Sequence, residues 1–136
     1  MRIVLYEDNH RDIESRYAWL NNEHNVIVNY YDPEVNDSRR QDFIIGLIVK
    51  RGFKREQISV ITNFSHPVPA DLYFVDGLNG KWIHAANLLP KDLVFIISGD
   101  DMVLRNAAKN GYNTGADKDI KYIVEEKERF LALKKI

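Results

Sequence analysis

Short runs of apolar residues recur along the chain and are separated by longer, more polar segments. The runs do not alternate between apolar and polar positions, which is typical of strands that are buried on both faces of a sheet. They occupy residues 2–6, 26–31, 58–62, 72–75 and 93–97. The pattern therefore predicts several buried strands spread over most of the chain.

In several of the intervening segments, apolar residues recur every three or four positions, which is typical of amphipathic helices. These stripes comprise Ile13, Tyr17 and Leu20; Phe43 and Leu47 with Ile44 and Ile48; Trp82, Ala85, Ala86 and Leu89; Val103, Leu104, Ala107 and Ala108; and Ile120, Ile123, Val124, Phe130 and Leu131. Strands that alternate with helices predict a parallel sheet covered on both faces.

One stretch does not fit this alternation. Only residues 63–71, with Pro67 and Pro69 among them, separate two of the apolar runs, whereas a parallel crossover usually needs about a dozen residues or more. We expect the strand at 58–62 either to pair antiparallel at an edge or to belong to an irregular insertion. The predicted fold is α/β: a flavodoxin-like, doubly wound, five-stranded parallel sheet of order 2-1-3-4-5 with helices on both faces and an extra element around residues 53–70.

The composition narrows the classes of function. The 136 residues carry a net charge of -1 and no cysteine, which argues against nonspecific nucleic-acid or membrane binding and excludes disulfides and thiolate metal sites. No Gly-, Ser- or Pro-rich linker divides residues 1–136, so we expect a single domain. The N-terminus lacks a signal-peptide pattern and the longest apolar run, residues 43–49, is too short to span a membrane, so a cytoplasmic location is expected.

Acidic residues stand at the ends of the predicted strands. Glu7 and Asp8 follow the first run, and Asp76 follows the run at 72–75, while Ser98 and Lys118 come after later elements. In an open parallel sheet these positions share one edge, where ligands bind. Carboxylates crowded together repel unless a cation lies among them, and oxygen ligands suit Mg²⁺. A lysine and a hydroxyl nearby would suit phosphoryl transfer.

These residues carry a resemblance to a known family. The segments Leu5-Tyr6-Glu7-Asp8-Asn9, Tyr73-Phe74-Val75-Asp76, Ile96-Ile97-Ser98-Gly99 and Gly111 to Lys118 occur in an order that resembles the receiver domain of two-component response regulators, over nearly the whole chain. The resemblance implies that Asp76 accepts a phosphoryl group and that Ser98 and Lys118 contact it. It also implies that Mg²⁺ is held by Glu7, Asp8, Asp76 and the carbonyl of Leu78.

The resemblance also implies partners. A sensor histidine kinase or a phosphotransfer protein would donate the phosphoryl group, and a stand-alone receiver would signal by docking to an unidentified downstream protein or by pairing with a second copy. Two departures favour an alternative, a receiver-like interaction module that is not phosphorylated. Asp119 stands where the family has proline after the lysine, and Gly115 stands where it has a switch aromatic.

Other interpretations of the same residues remain open at this stage. The Glu7–Asp8 pair suits the cap of a following helix, and an Asp76–Gly77 pair suits a turn. A metal-dependent phosphatase or nuclease would need an Asp-x-Asp pair, but Leu78 lies two residues after Asp76. Flavin or dinucleotide binding would need a glycine-rich first loop, and the acids here would repel a phosphate.

Overall fold

Strands and helices alternate along most of residues 1–135, the part of the chain that a computed structural model describes. The strands are β1 (Arg2–Glu7), β2 (Asn25–Tyr31), β3 (Ile58–Ile61), β4 (Leu72–Asp76), β5 (Val94–Ile97) and β6 (Asn113–Gly115). The helices are α1 (His10–Tyr17), α2 (Ser38–Val49), α3 (Trp82–Ala86), α4 (Asp101–Lys109) and α5 (Ile120–Lys134). Among residues 1–135, no helix combines the length and the apolar character that a membrane crossing requires.

The six strands form one parallel sheet in the order β3-β2-β1-β4-β5-β6. The predicted α/β class is therefore confirmed, whereas the predicted strand number and order are wrong. The difference is β3, which pairs in parallel with β2 at the edge of the sheet, with Val28 opposite Ile58. Since α2 forms the crossover from β2 to β3, parallel pairing is possible there and the expected antiparallel pairing is wrong.

The helices cover the sheet on both faces. Residues of α1, α2 and α5 pack in one apolar core, and residues of α3 and α4 pack in a second core on the opposite face. Crossovers between parallel strands are right-handed, so the face changes when the chain reverses its direction across the sheet. The chain moves outward from β1 to β3 and then returns to β4 beside β1, which places the point of reversal between β1 and β4.

The return from β3 to β4 uses an irregular segment, residues 62–71, instead of a helix. Its Phe64 ring stacks on Tyr31, with ring centroids 4.8 Å apart, and lies edge-on to Tyr6 at 6.1 Å. The hydroxyl of Tyr73 donates to the carbonyl of Val68 at 2.6 Å. These contacts cover part of the sheet that a helix would otherwise cover. Of the extra element expected around residues 53–70, β3 is a regular strand of the sheet, and the irregular part is the segment that follows it.

Helices α2 and α5 each leave exposed a phenylalanine that their apolar spacing places in the core. In α2 the buried side chains are Ile44, Ile45 and Ile48, while Phe43 is 68% exposed. In α5 the buried residues lie in the first turns, and Phe130 is 48% exposed. The apolar spacing identified these helices correctly, but it placed both phenylalanines in the core, and those two placements are wrong.

Candidate functional site

The candidate site lies where β1 and β4 end side by side. Glu7 is the last residue of β1 and Asp76 is the last residue of β4. The two strands are neighbours at the reversal point of the sheet, the position where open α/β sheets bind ligands. Carboxylate oxygens of Glu7, Asp12 and Asp76 all lie within 4.8 Å of one another. The fold thus gathers acids from distant parts of the chain into one acidic site.

Helix α1 begins directly after β1 and brings two further side chains to this site. Its N-cap is Asn9, whose side-chain oxygen accepts hydrogen bonds from the backbone N–H of Arg11 at 2.9 Å and of Asp12 at 3.4 Å. The cap is therefore Asn9 and not the preceding acidic pair. Asp12 and Arg16 are four residues apart, which places them on the same face of the helix, and both reach the acidic site.

Arg16 is the buried cation of the site. It is 7% exposed, and its Nη1 donates to Oε2 of Glu7 at 2.9 Å and to Oδ1 of Asp76 at 2.8 Å. Its Nε donates to Oδ1 of Asp117 at 2.8 Å. One guanidinium therefore joins the ends of β1 and β4 and the turn at Asp117–Asp119 that precedes α5. Sequence reasoning missed this residue, since its only signal was four-residue spacing from Asp12.

Burial and mutual repulsion alter the ionisation of these groups. Burial and the charge of Asp76 raise the pKa of Glu7 to about 9, against the opposing effect of Arg16. Burial and Asp76 also raise the pKa of Asp8. Burial alone would lower the pKa of Arg16, but its hydrogen bond to Asp76 and the charge of Glu7 raise it above the usual value. Arg16 therefore stays charged, while Glu7 and Asp8 bind their protons more tightly than usual.

The carboxylate oxygens of the acidic site are the type of ligand that hard divalent cations prefer. Glu7, Asp12 and Asp76 offer carboxylate oxygens, and Arg16 is the cation that contacts two of them. Mg²⁺ prefers oxygen ligands and usually accepts only one or two protein carboxylates. The acidic site could therefore bind a metal ion, although Arg16 already neutralises part of its charge.

The loop after β4 holds the other oxygen of Asp76. The backbone N–H of Leu78 donates to Oδ2 of Asp76 at 3.0 Å. Leu78 and Asn79 have φ angles of 49° and 52°, in the left-handed region that non-glycine residues rarely adopt. The carbonyl of Leu78, a predicted Mg²⁺ ligand, accepts from the N–H of Lys81 at 3.0 Å. Asp76 is thus both a strand end and the start of a turn.

Ser98 lies beside this loop, and Lys118 does not join the acidic site. Ser98 is buried, and its Oγ accepts from the N–H of Asp100 at 3.0 Å. A Cβ added to Gly77 would lie 3.8 Å from that oxygen, so Ser98 is next to the residue that follows Asp76. The side chain of Lys118 is exposed and forms no hydrogen bond or ion pair with any of residues 1–135.

Close packing explains why glycine occupies position 115, where a switch aromatic was expected. Gly115 is buried at the end of β6, and a Cβ there would lie 3.2 Å from Cδ1 of both Ile97 and Ile123. The space that a switch aromatic would need is therefore filled by the core beneath α5.

Replacing Gly115 by phenylalanine is expected to lower the free energy of unfolding by about 1–3 kcal/mol, the usual cost of overpacking a core. Urea denaturation measures this change. Asn113→Phe serves as the control, because Asn113 lies on the same short strand and is exposed. An unchanged midpoint for Gly115→Phe would show that the side chains of Ile97 and Ile123 move aside freely.

The chain was also compared with known proteins. No protein-family model, no curated protein and no solved structure matches it. Its functional assignment therefore depends on the arrangement of Glu7, Asp8, Arg16 and Asp76 at the reversal point of the sheet.

Proposed function

We propose that the chain is a receiver-like signalling domain of the flavodoxin-like type that accepts a phosphoryl group on Asp76 in a Mg²⁺-dependent reaction. One observation carries the proposal. Asp76, at 15% side-chain exposure, stands at the reversal point of a parallel sheet, between Glu7 and Asp8 at the end of β1 and the Ser98 hydroxyl that follows β5. This combination of a reachable carboxylate, further acids and a hydroxyl suits phosphoryl transfer better than a purely structural ion pair.

The residues around Asp76 have distinct roles in this proposal. Asp76 supplies the attacking carboxylate oxygen, and the N–H of Leu78 orients the group through Oδ2. Ser98 supplies a hydroxyl that can donate to a phosphoryl oxygen. Glu7, Asp8, Asp12 and Asp76 are the residues that would hold Mg²⁺, which supplies charge neutralisation for the phosphoryl oxygens when bound.

The proposed partners follow from this chemistry. A phosphohistidine of a sensor kinase or phosphotransfer protein in the cytoplasm would donate the phosphoryl group. Phosphorylation would shift the population of conformations that the domain adopts and so its docking to a downstream protein. The link from Asp76 through Arg16 to Asp117, just before α5, supports a signalling surface that includes this helix.

Incubation with acetyl phosphate and Mg²⁺ is expected to add one phosphoryl group to the protein, and Asp76→Asn is expected to abolish the addition. Intact-mass spectrometry measures both. Asp71→Asn is the matched control. Asp71 immediately precedes β4, at the end of the strand away from Asp76, and its carboxylate accepts a hydrogen bond from the N–H of Arg2. The proposal fails if excess donor adds nothing to the wild-type protein, or if Asp76→Asn is labelled equally.

A second candidate is a receiver-like interaction module that takes no phosphoryl group. The observation that favours it is the bond from Arg16 Nη1 to Asp76 Oδ1, since a guanidinium already neutralises the carboxylate there. This candidate predicts no labelling by acetyl phosphate, no measurable Mg²⁺ affinity by calorimetry, and partner binding that is indifferent to Asp76→Asn. Labelling of the wild-type protein at Asp76 would exclude it.

A further inference from the structure

Arg16 contacts the acceptor carboxylate directly, whereas Lys118 does not. The Nη1 atom of Arg16 is 2.8 Å from Oδ1 of Asp76. The side chain of Lys118 makes no such contact with residues 1–135, and it is exposed on the turn before α5. A receiver-like reaction needs a fixed positive charge beside the acceptor, because charge on the phosphoryl oxygens must be neutralised. In this chain the cation in that place comes from α1.

We propose that Arg16 is the catalytic residue that binds the phosphoryl oxygens at Asp76, in the role that the family resemblance assigns to Lys118. This inference rests on the proposed function. A guanidinium presents five N–H donors in a planar fork that matches phosphate oxygens. In Arg16, Nη1 and Nε are used by Glu7, Asp76 and Asp117.

The remaining nitrogen of Arg16 is available for a ligand. Among residues 1–135, no atom accepts a hydrogen bond from Nη2. That nitrogen is also not sealed from solvent, because no buried side-chain nitrogen or oxygen in this part of the chain lacks a partner. Nη2 is therefore the N–H donor of Arg16 that a phosphoryl oxygen could use without displacing a partner in residues 1–135.

The transfer step can be written with its atoms balanced. With acetyl phosphate as donor, a carboxylate oxygen of Asp76 attacks phosphorus, and the bond between phosphorus and the acetyl oxygen breaks. Acetate leaves with the electron pair of that bond, and no net proton is taken up. Asp76 loses its carboxylate charge as the acyl phosphate forms, so Arg16 exchanges one anionic partner for another. The bond to Asp117 holds the guanidinium in place during this exchange.

The test compares initial rates of phosphorylation by acetyl phosphate at fixed Mg²⁺, followed by intact mass. We expect Arg16→Gln to slow the reaction about 100-fold, the usual loss when a donor to a developing oxyanion is removed. Arg16→Lys retains the charge without the fork and should recover part of the rate. Lys118→Gln should stay within about twofold of wild type, because its side chain lies outside the contacts of the site.

Two controls keep the result interpretable. Arg11→Lys makes the same exchange on an exposed residue of α1 and should leave the rate unchanged. Thermal unfolding of each variant shows that rates are compared for folded protein, and Arg16→Lys decides the case if Arg16→Gln does not fold. A wild-type rate in Arg16→Gln, or a large loss in Lys118→Gln, would overturn the role of Arg16 alone; where only Arg16→Lys folds, a rate equal to wild type would overturn the need for the guanidinium fork. Absence of labelling in the wild-type protein would overturn the proposed function, and the role of Arg16 with it.

Discussion

Replacing Arg16 by methionine is expected to lower the free energy of unfolding by about 3–5 kcal/mol, the usual cost of removing one partner from a buried ion pair. Methionine fills much of the same volume but leaves Glu7 and Asp76 without their shared hydrogen-bond donor. Glu7 is fully buried, so water cannot replace the lost contact. Urea denaturation near neutral pH measures the difference.

The matched control for this prediction is Arg55→Met. Arg55 pairs with Asp42 at 3.4 Å, and both side chains are mostly exposed, so a change within about 1 kcal/mol is expected there. Adding Asp76→Asn to Arg16→Met should restore part of the lost stability, because the double variant no longer holds the Asp76 carboxylate without its ion-pair partner. A loss below about 1 kcal/mol in Arg16→Met would mean that the acids do not depend on Arg16.

The free energy of unfolding is also expected to fall as the pH rises, in the absence of divalent cations. The pKa of Glu7 is raised from 4.5 to about 9 in the folded protein. Between these values the folded state holds a proton that the unfolded state has lost, so stability decreases with increasing pH. The stabilisation that comes from the proton on Glu7 is fully present below the pKa of 4.5 in the unfolded chain and is lost as the pH approaches 9. Asp8, with its raised pKa, acts in the same direction.

Glu7→Gln is the variant that tests this pH dependence. Glutamine cannot ionise, so the free energy of unfolding of Glu7→Gln should change less between pH 4.5 and about 9 than that of wild type. We expect the two changes to differ by more than about 2 kcal/mol, since one unit of pKa corresponds to about 1.4 kcal/mol. Glu125→Gln, on the exposed face of α5, is the control and should follow wild type. Parallel curves for wild type and Glu7→Gln, measured by urea denaturation in EDTA, would show that Glu7 ionises normally.

Only the tertiary structure shows which basic residue contacts the acids of the site. Arg16 lies nine residues from Glu7, 60 from Asp76 and 101 from Asp117 along the chain, and no local pattern distinguishes it from a solvated arginine on a helix. Lys118 matched the expected order of residues, yet its side chain is exposed. Order along the chain carries no information about side-chain direction, so the lysine was the natural choice from sequence and the arginine was not.

The same reasoning applies to the sheet. Buried strands such as β1 and β4 were predictable because continuous apolar runs report burial on both faces, a property of the segment itself. Since strands of a parallel sheet end at a common edge, the meeting of Glu7 with Asp76 was also predictable. The pairing of β3 with β2 was not, because it depends on how α2 and Phe64 pack across the sheet. Apolar spacing thus determines which segments are buried, whereas strand partners and the counter-ion of a buried acid depend on residues that only the folded chain brings together.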